Sequence, residues 1–173
     1  MRLLSSDHIT LRPLEPGDVD MILAWENDTA TWLTSSTMAP YSRRMIEDYI
    51  NSYRADIYGE RQLCLMITLN RGMKPAGLID LYDYDPANRR AMVGIYVDTA
   101  MRVNHVGHDA LELLAAYARH HVGMHQLAAL IAGDNAASQA LFRSAGYSES
   151  ARLRDWFVRR DGYSDGLIYR LQL

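Results

Sequence analysis

Residues 93–108 of the chain read VGIYVDTAMRVNHVGH. The stretch passes from an apolar strand pattern through a short loop into the first turn of a helix. The first turn of a helix carries backbone N–H groups without intrahelical partners, and together with the helix dipole these groups favour an anion. A pyrophosphate fits such a site, and the guanidinium of Arg102 adds a charged contact. An ordinary strand–helix loop without a ligand is the alternative interpretation.

The helix that follows this loop leads to a second buried strand. Apolar side chains share one stripe of the segment Asp109–Val122, and Gly123 stands where a helix ends. Leu127–Ala132 is short and continuously apolar, as expected of a buried strand. Because a helix separates it from the strand Arg90–Val97, we predict that these two strands run parallel to each other.

The rest of the chain predicts mainly antiparallel strands. Strands are predicted at His8–Leu14, Gln62–Leu69, Ala76–Tyr82, Ser148–Arg159 and Leu167–Leu171. One helix is predicted after Pro16, a second from Ser42 through Tyr58, and a short one from Asp134 or Asn135 to Ala145. The order predicts an α/β (α+β) fold, in which helices cover both faces of a mixed, mostly antiparallel sheet.

Composition limits the class of protein. The 173 residues are 49% hydrophobic and 23% charged, which suits one domain spanning residues 1–173. A net charge of −3 provides no general attraction for nucleic acid, and no segment is apolar enough to span a membrane. Cys64 is the single cysteine, and the histidines follow no zinc-binding pattern. We therefore expect a cytoplasmic protein that needs no metal.

The segment Ala91–Gln126 resembles the core of the GNAT acetyltransferases. In that family a strand ends in a loop of the form Arg/Gln-x-x-Gly-x-Gly/Ala, whose backbone amides cradle the pyrophosphate of coenzyme A. Arg102 and Gly107 match the first and last positions of this loop. His105 replaces the middle glycine, and Val103 stands where a glycine is common. Positive φ at either position would cost about 1–2 kcal/mol.

A second segment, Gly133–Tyr147, is similar to the later GNAT motif Asn-x-x-Ser-x-x-Leu-Tyr/Phe-x-x-x-Gly-Phe/Tyr. The matching residues are Asn135, Ser138, Leu141, Phe142, Gly146 and Tyr147. The opening Leu11–Leu14 and the tail Asp161–Asp165 resemble the ribosomal-protein and polyamine branches of the family. The resemblance covers nearly the whole chain, and the order and spacing of the motifs carry it.

The resemblance implies that acetyl-CoA is the co-substrate. It also implies that the strands Arg90–Val97 and Leu127–Ala132 splay apart, so that the pantetheine arm pairs with the exposed backbone of the first strand. The residues implied in coenzyme binding are Ile95, Tyr96, Val97, Arg102, Val103, Asn104, His105, Val106, Gly107, His108, Asn135, Ser138 and Phe142. A backbone amide near Val97 would polarise the thioester carbonyl.

The acid and the base of the reaction are harder to identify. Many relatives place a glutamate where this chain has Met92, and polyamine acetyltransferases place a tyrosine where it has Phe142. The candidates for proton transfer are Tyr82, Asp83 and Tyr147, with Asp80 and Tyr84 as further polar residues of the same region. Each of them also fits an ordinary position on the sheet surface or in the core.

The acceptor implied by the resemblance is a primary amine: a protein N-terminus, a polyamine or another small amine. Acidic side chains in the first two helices suit a cationic amine, although they also suit a solvated helix face. The alternative function is a weakly active or inactive GNAT-like domain that acts as a coenzyme A sensor or an assembly partner. Relatives often dimerise through the last strands, and Trp156–Val158 offers an apolar segment there, so a homodimer is expected.

Overall fold

Seven strands form one mixed sheet in the computed structural model, which describes residues 3–32, 37–101 and 105–173. The strands are β1 (Ile9–Arg12), β2 (Leu63–Leu69), β3 (Lys74–Asp85), β4 (Arg90–Val97), β5 (Gln126–Ala132), β6 (Ser148–Arg159) and β7 (Gly162–Gln172). Their spatial order is β1-β2-β3-β4-β5-β7-β6. Every neighbouring pair is antiparallel except β4 and β5, which are parallel, as predicted.

Helices cover both faces of the sheet, which confirms the predicted fold class. They are α1 (Val19–Glu26), α2 (Arg43–Ser52), α3 (Val106–Tyr117) and α4 (Ala136–Ser144). Apolar side chains of α1 and α2 pack on one face against Cys64, Met66 and Leu78. Those of α3 and α4 belong to the larger core on the other face. None of the helices in the described ranges is long and apolar enough to cross a membrane.

Helix α2 is shorter than predicted. Ser42 caps its start as expected, because its hydroxyl accepts a hydrogen bond from the N–H of Met45 at 3.3 Å. The helix ends at Ser52 instead of continuing to Tyr58. Tyr53 has an extended backbone, and its hydroxyl oxygen accepts a hydrogen bond from the N–H of Cys64 at 2.5 Å. This contact with β2 turns the chain out of the helix.

The parallel strands β4 and β5 are paired over a short distance only. Only three residue pairs join them, and the ladder then stops. The pairs are Arg90 with Gln126, Ala91 with Leu127 and Met92 with Ala128. Beyond that point β4 stays with β3, while β5 stays with β7 as far as Ala132. Since each strand follows a different antiparallel partner in a twisted sheet, the two diverge. The predicted splay is therefore present.

The connection from β4 to α3 contains a strained residue. His105, which precedes the first helical residue Val106, has φ +61° and ψ +18°, in the left-handed region. This region is costly for residues with a Cβ atom. Gly107 follows in a crowded place, because a Cβ atom there would lie 3.1 Å from a methyl carbon of Leu141 and 3.6 Å from one of Val97. The helix starts at Val106, before the predicted Asp109.

An ion pair fixes the segment between β1 and α1. The guanidinium of Arg12 donates two hydrogen bonds to the carboxylate of Asp18, at 2.7 and 2.8 Å, and the N–H of Glu15 donates a third at 2.8 Å. Burial by itself raises the pKa of Asp18, but the hydrogen bonds from Arg12 and from Glu15 outweigh it, and the pKa is lowered. The Arg12 of the opening motif therefore has a structural role.

Asp18→Asn is expected to lower the free energy of unfolding by about 2 kcal/mol at neutral pH, because Arg12 keeps its charge and loses the facing anion. The lowered pKa of Asp18 means that the pair stabilises fully above the pKa of an unfolded aspartate. Its contribution is lost as the pH falls through the folded pKa. Urea unfolding of both proteins from neutral to acidic pH measures this difference.

Asp20→Asn is the control, since Asp20 lies on the exposed side of α1 and pairs with Arg43 at the surface. Its effect should stay within about 0.5 kcal/mol. If the loss in Asp18→Asn does not diminish toward acidic pH, the ion pair does not stabilise the fold in this way.

His105→Gly is expected to stabilise the protein by about 1 kcal/mol, because glycine adopts positive φ without a Cβ clash. The melting temperature should rise by about 2–4 °C. His8→Gly is the matched control, because His8 is not among the residues with positive φ. Scanning calorimetry of the three proteins compares them, and a lower melting temperature for His105→Gly would contradict the strain.

Candidate active site

A cleft with a volume of about 1310 Å³ opens where β4 and β5 part. The two strands, the first turn of α3 and one side of α4 form its walls. The predicted coenzyme-binding residues that line it are Ile95, Tyr96, Val97, His105, Val106, Gly107, His108, Asn135, Ser138 and Phe142. Arg102, Val103 and Asn104, which were predicted for the same role, lie outside the described residues. The folded chain thus brings the two sequence motifs to one cavity.

One end of the cleft is formed by the start of α3. The N–H of Asp109 is the first to close a turn of this helix, donating to the carbonyl of His105 at 2.9 Å. The backbone N–H groups of Val106, Gly107 and His108 therefore precede the intrahelical ladder. These residues line the cleft, and the positive end of the helix dipole adds to their effect. This end suits a phosphate-bearing ligand.

The middle of the cleft exposes the backbone of Ile95. The N–H of Asp98 donates to the carbonyl of Ala76 at 2.9 Å, which makes these two residues a hydrogen-bonded pair of the β3–β4 ladder. Hydrogen-bonded and non-hydrogen-bonded pairs alternate along such a ladder. Ile95, opposite Ile79, therefore belongs to a non-hydrogen-bonded pair. Its N–H and C=O point away from β3, across the opening toward β5.

Helix α4 forms the wall next to α3, and the hydroxyl of Ser144 lies 3.2 Å from Nδ1 of His108. The side-chain oxygen of Asn135 accepts a hydrogen bond from the N–H of Ser138 at 3.0 Å and so caps the helix. Phe142 also lines the cleft. Tyr147 packs edge-on against Phe142, with ring centroids 5.0 Å apart, but does not line the cleft itself. Its hydroxyl is buried without a partner among the described residues, and burial raises its pKa.

The three residues predicted for proton transfer are not brought together. Tyr82 lines the cleft, whereas Asp83, Tyr84 and Tyr147 do not. A bulge in β3 explains the difference, since Asp83 has φ +50° and the register shifts between Tyr82 and Asp85. The extra residue leaves Asp83 exposed and turns Tyr84 into the core on the α3 side of the sheet. A regular alternation of side chains could not predict this.

The other end of the cleft is acidic and aromatic. Trp25 and Glu26 from the end of α1 line it together with Asp80 and Tyr96. The indole N–H of Trp25 donates to the carboxylate of Asp98 at 2.9 Å, and its ring centroid lies 5.5 Å from that of Tyr96. Trp25 belongs to the apolar stripe of α1, so no sequence pattern indicates that it borders a cavity.

Both carboxylates at this end have raised pKa values. Burial raises the pKa of Asp80, although polar contacts with Cys64 and Gln62 oppose the effect. Burial also raises the pKa of Glu26, and the charge of Asp80 raises it further. Within the described ranges neither carboxylate forms an ion pair. Two acidic groups thus face the cleft without an ion-pair partner in the part of the chain that the structure describes.

An ion pair borders the cleft beside α4. The guanidinium of Arg159, from the end of β6, donates to the carboxylate of Asp134 at 2.5 and 2.8 Å and lies over the ring of Phe157. These three residues line the cleft and were not predicted from the sequence. A pair so far apart in the chain leaves no local pattern by which it could have been found.

Comparison with known proteins places this cleft in a family. The sequence pattern described as "Acetyltransferase (GNAT) domain" matches residues 8–148. A protein of Bacillus subtilis (strain 168) named "Putative ribosomal N-acetyltransferase YdaF" is 24% identical over 180 residues, which cover 96% of this chain and 92% of that protein.

Solved structures share the fold. The spermidine N-acetyltransferase from Vibrio cholerae, solved with CoA and spermine, superposes with a TM-score of 0.85 at 18% identity and covers 96% of each chain. RimL, a ribosomal L7/L12 alpha-N-protein acetyltransferase solved with coenzyme A, gives a TM-score of 0.80 at 16% identity, over 97% of this chain and 96% of that one. The family pattern covers well over half of the sequence. The cleft of this chain lies where its two sequence motifs meet. The chain therefore belongs to the GNAT acetyltransferase family.

Proposed function

We propose that the protein is a single-domain enzyme, comprising residues 1–173, that transfers an acetyl group from acetyl-CoA to a primary amine. The observation that carries the proposal is the cleft itself. It joins helix N–H groups at one end to two carboxylates at the other, past an exposed strand backbone. Phosphates, an amide-bearing arm and an ammonium group fit these three parts in that order.

The coenzyme would lie with its pyrophosphate at the start of α3. The N–H groups of Val106, Gly107 and His108 supply donors there, and Arg102 is a candidate for a further contact. The pantetheine arm would pair with β4 as an added strand, using the outward backbone of Ile95. Asn135, Ser138 and Phe142 on α4 would form the opposite wall. The thioester then reaches the point where β4 and β5 part.

Direct attack by the amine accounts for the reaction without a covalent intermediate. Cys64 is 5% exposed, does not line the cleft and has a pKa raised by burial, so a thiol relay through it is unsupported. An outward N–H such as that of Ile95 can stabilise the charge that develops on the thioester oxygen.

Tyr82 is suited to donate a proton to the departing thiolate. Burial raises the pKa of Tyr82, and the charges of Asp83 and Asp80 raise it further. The phenol therefore stays protonated at neutral pH, which favours an acid over a base at this position. Asp83 and Tyr147, the other predicted candidates, take no part in the proposed reaction because they lie outside the cleft.

The acceptor is a primary amine of a small molecule or of a protein N-terminus. The proteins similar to this chain are named for ribosomal proteins and for spermidine, which are chemically different amines. The carboxylates at the acceptor end favour a cationic amine in either case. A coenzyme A sensor without activity is the second candidate, favoured by Phe142, which stands where polyamine acetyltransferases have a tyrosine.

Gly107→Pro is expected to weaken acetyl-CoA binding by about tenfold to a hundredfold, because proline removes one N–H donor and distorts the first turn of α3. Isothermal titration calorimetry measures the affinity. Arg44→Pro places proline at the same helical position in α2, away from the cleft, and should leave the affinity unchanged. If Gly107→Pro stays folded and binds acetyl-CoA as tightly as the natural protein, the pyrophosphate site is elsewhere.

The same preparations decide between the enzyme and the sensor. Thiol release from acetyl-CoA should exceed the background with at least one member of a panel of polyamines, amino sugars, amino acids and peptides with free N-termini. Cys64→Ala should retain that activity. Tight acetyl-CoA binding without thiol release from any of these amines would favour the sensor.

A homodimer through the β6–β7 hairpin is the proposed assembly. Trp156, Val158 and Tyr163 on this hairpin are each more than half exposed. Such apolar side chains gain stability when a second copy covers them. Light scattering should therefore give twice the mass of the chain, and Trp156→Arg should shift the protein toward monomer. A monomer at high concentration for the unaltered chain would contradict this assembly.

A further inference from the structure

Asp80 lies at the centre of the acceptor end of the cleft. In the register of the sheet it stands opposite Cys64 on β2 and opposite Gly94 on β4. Tyr82 lies two residues further along β3, on the same face. Asp80, Tyr82 and Gly94 all line the cleft. The carboxylate is thus next to the place where β4 leaves β5, which is where the proposed function puts the thioester.

Gly94 leaves a gap above this carboxylate. A Cβ atom at residue 94 would lie 3.5 Å from Oδ2 of Asp80 and 3.6 Å from the ring of Tyr82. Gly94 does not have the positive φ that would require glycine. These distances are ordinary van der Waals contacts, so a methyl group would fit there. What the missing side chain provides is access from the cleft to Oδ2 of Asp80.

We propose that Asp80 is the general base, which takes a proton from the acceptor ammonium through the gap at Gly94, and that Glu26 is a second carboxylate that binds the cationic acceptor. The proposal rests on the proposed function and names the groups that act on the amine. It differs from the position of the glutamate in many relatives, which corresponds to Met92 on β4.

The surroundings of Asp80 contain acids and neutral groups. Cys64 faces it from β2, Gln62 from just before β2, and Tyr82 from its own strand. Tyr49 faces it from α2, Tyr53 from the residue after α2, and Glu26 from α1. Gly94 lies opposite it on β4, and Tyr96 lies two residues further along that strand. No cation belongs to this set of described residues. Among the described residues, then, none supplies the positive charge that would neutralise Asp80 and Glu26, whereas a cationic acceptor would supply it.

The raised pKa of Asp80 suits this role. A strongly solvated carboxylate is a weak base, whereas burial raises its pKa toward neutral pH and makes it a stronger base. Glu26 shares the effect of burial, and the charge of Asp80 adds to it. The attraction between two desolvated carboxylates and an ammonium group is also stronger than it would be in water.

The protons and bonds of the reaction balance. Asp80 accepts the first proton of the ammonium group, and the neutral nitrogen forms a bond to the thioester carbon. The carbon–sulfur bond then breaks, and the departing thiolate takes the proton of Tyr82. The tyrosinate regains a proton from the acylated nitrogen, which leaves an uncharged amide. Asp80 finally releases its proton to solvent, so that one proton is produced for each amide and each free coenzyme A.

The pH dependence of Asp80→Asn tests the assignment. With the natural protein, kcat/KM for the fastest acceptor of the amine panel should level off between the pKa of Asp80 and that of the acceptor. With Asp80→Asn only the free amine reacts, so kcat/KM should rise about tenfold per pH unit up to the pKa of the acceptor. At neutral pH the variant should be about a hundredfold to ten-thousandfold slower.

Three further variants complete the experiment. Gly94→Ala should bind acetyl-CoA within twofold of the natural affinity yet lose at least tenfold in kcat/KM, because its methyl group covers Oδ2 of Asp80. Glu26→Gln should raise the KM for the acceptor about tenfold and change kcat little. Asp48→Asn removes an exposed carboxylate of α2 and should match the natural protein.

The outcomes separate the two proposals. If the natural protein releases thiol and Asp80→Asn keeps both its rate and its pH profile, the role of Asp80 is overturned while the acetyltransferase remains. If Asp80→Asn does not fold, Gly94→Ala decides, and full activity of that variant overturns the assignment. If the natural protein acetylates no amine of the panel, both the assignment and the proposed function fail.

Discussion

The parting of β4 and β5 is the constraint on which the rest of the structure depends. These two parallel strands are hydrogen-bonded over their first three residues and then diverge, because each stays paired with its own antiparallel neighbour. Backbone groups in the middle of a sheet are thereby left facing an opening. The opening passes through the sheet and connects its two faces. The helix N–H groups and the acidic pair can therefore serve one ligand although they belong to different faces.

Much of this architecture could be predicted because its signals are local. The strand Arg90–Val97 has the predicted bounds. Gly123 ends the helical segment between β4 and β5 with the expected positive φ. Asn135 caps α4 through its side chain, a preference that depends on neighbouring residues alone. Features set by distant contacts were missed. Helix α2 ends at Ser52 because Tyr53 meets β2, and the sequence around Tyr53 does not show that contact.

In the candidate site, too, locally encoded residues could be predicted from the sequence and residues set by distant contacts could not. Motif spacing identified the residues of α3 and α4 that border the coenzyme end. It could not rank Tyr82 above Asp83, because a single residue of positive φ changes which face of β3 the next side chains occupy. In the sequence, Glu26 cannot be distinguished from the other acidic residues of the first two helices. Its raised pKa arises from burial beside Asp80, on a strand far away in the sequence.

The burial of Cys64, the single cysteine, affects how thiol-reactive reagents behave with this protein. Cys64 is enclosed between β2 and the α1–α2 layer, and its pKa is raised, so little of it is thiolate near neutral pH. A colorimetric thiol reagent will therefore measure the coenzyme A released in the reaction with little background from the protein. Where they do react with Cys64, the helical layer has opened from the sheet. The rate of that slow labelling would report the local opening of the layer that covers the acceptor end of the cleft.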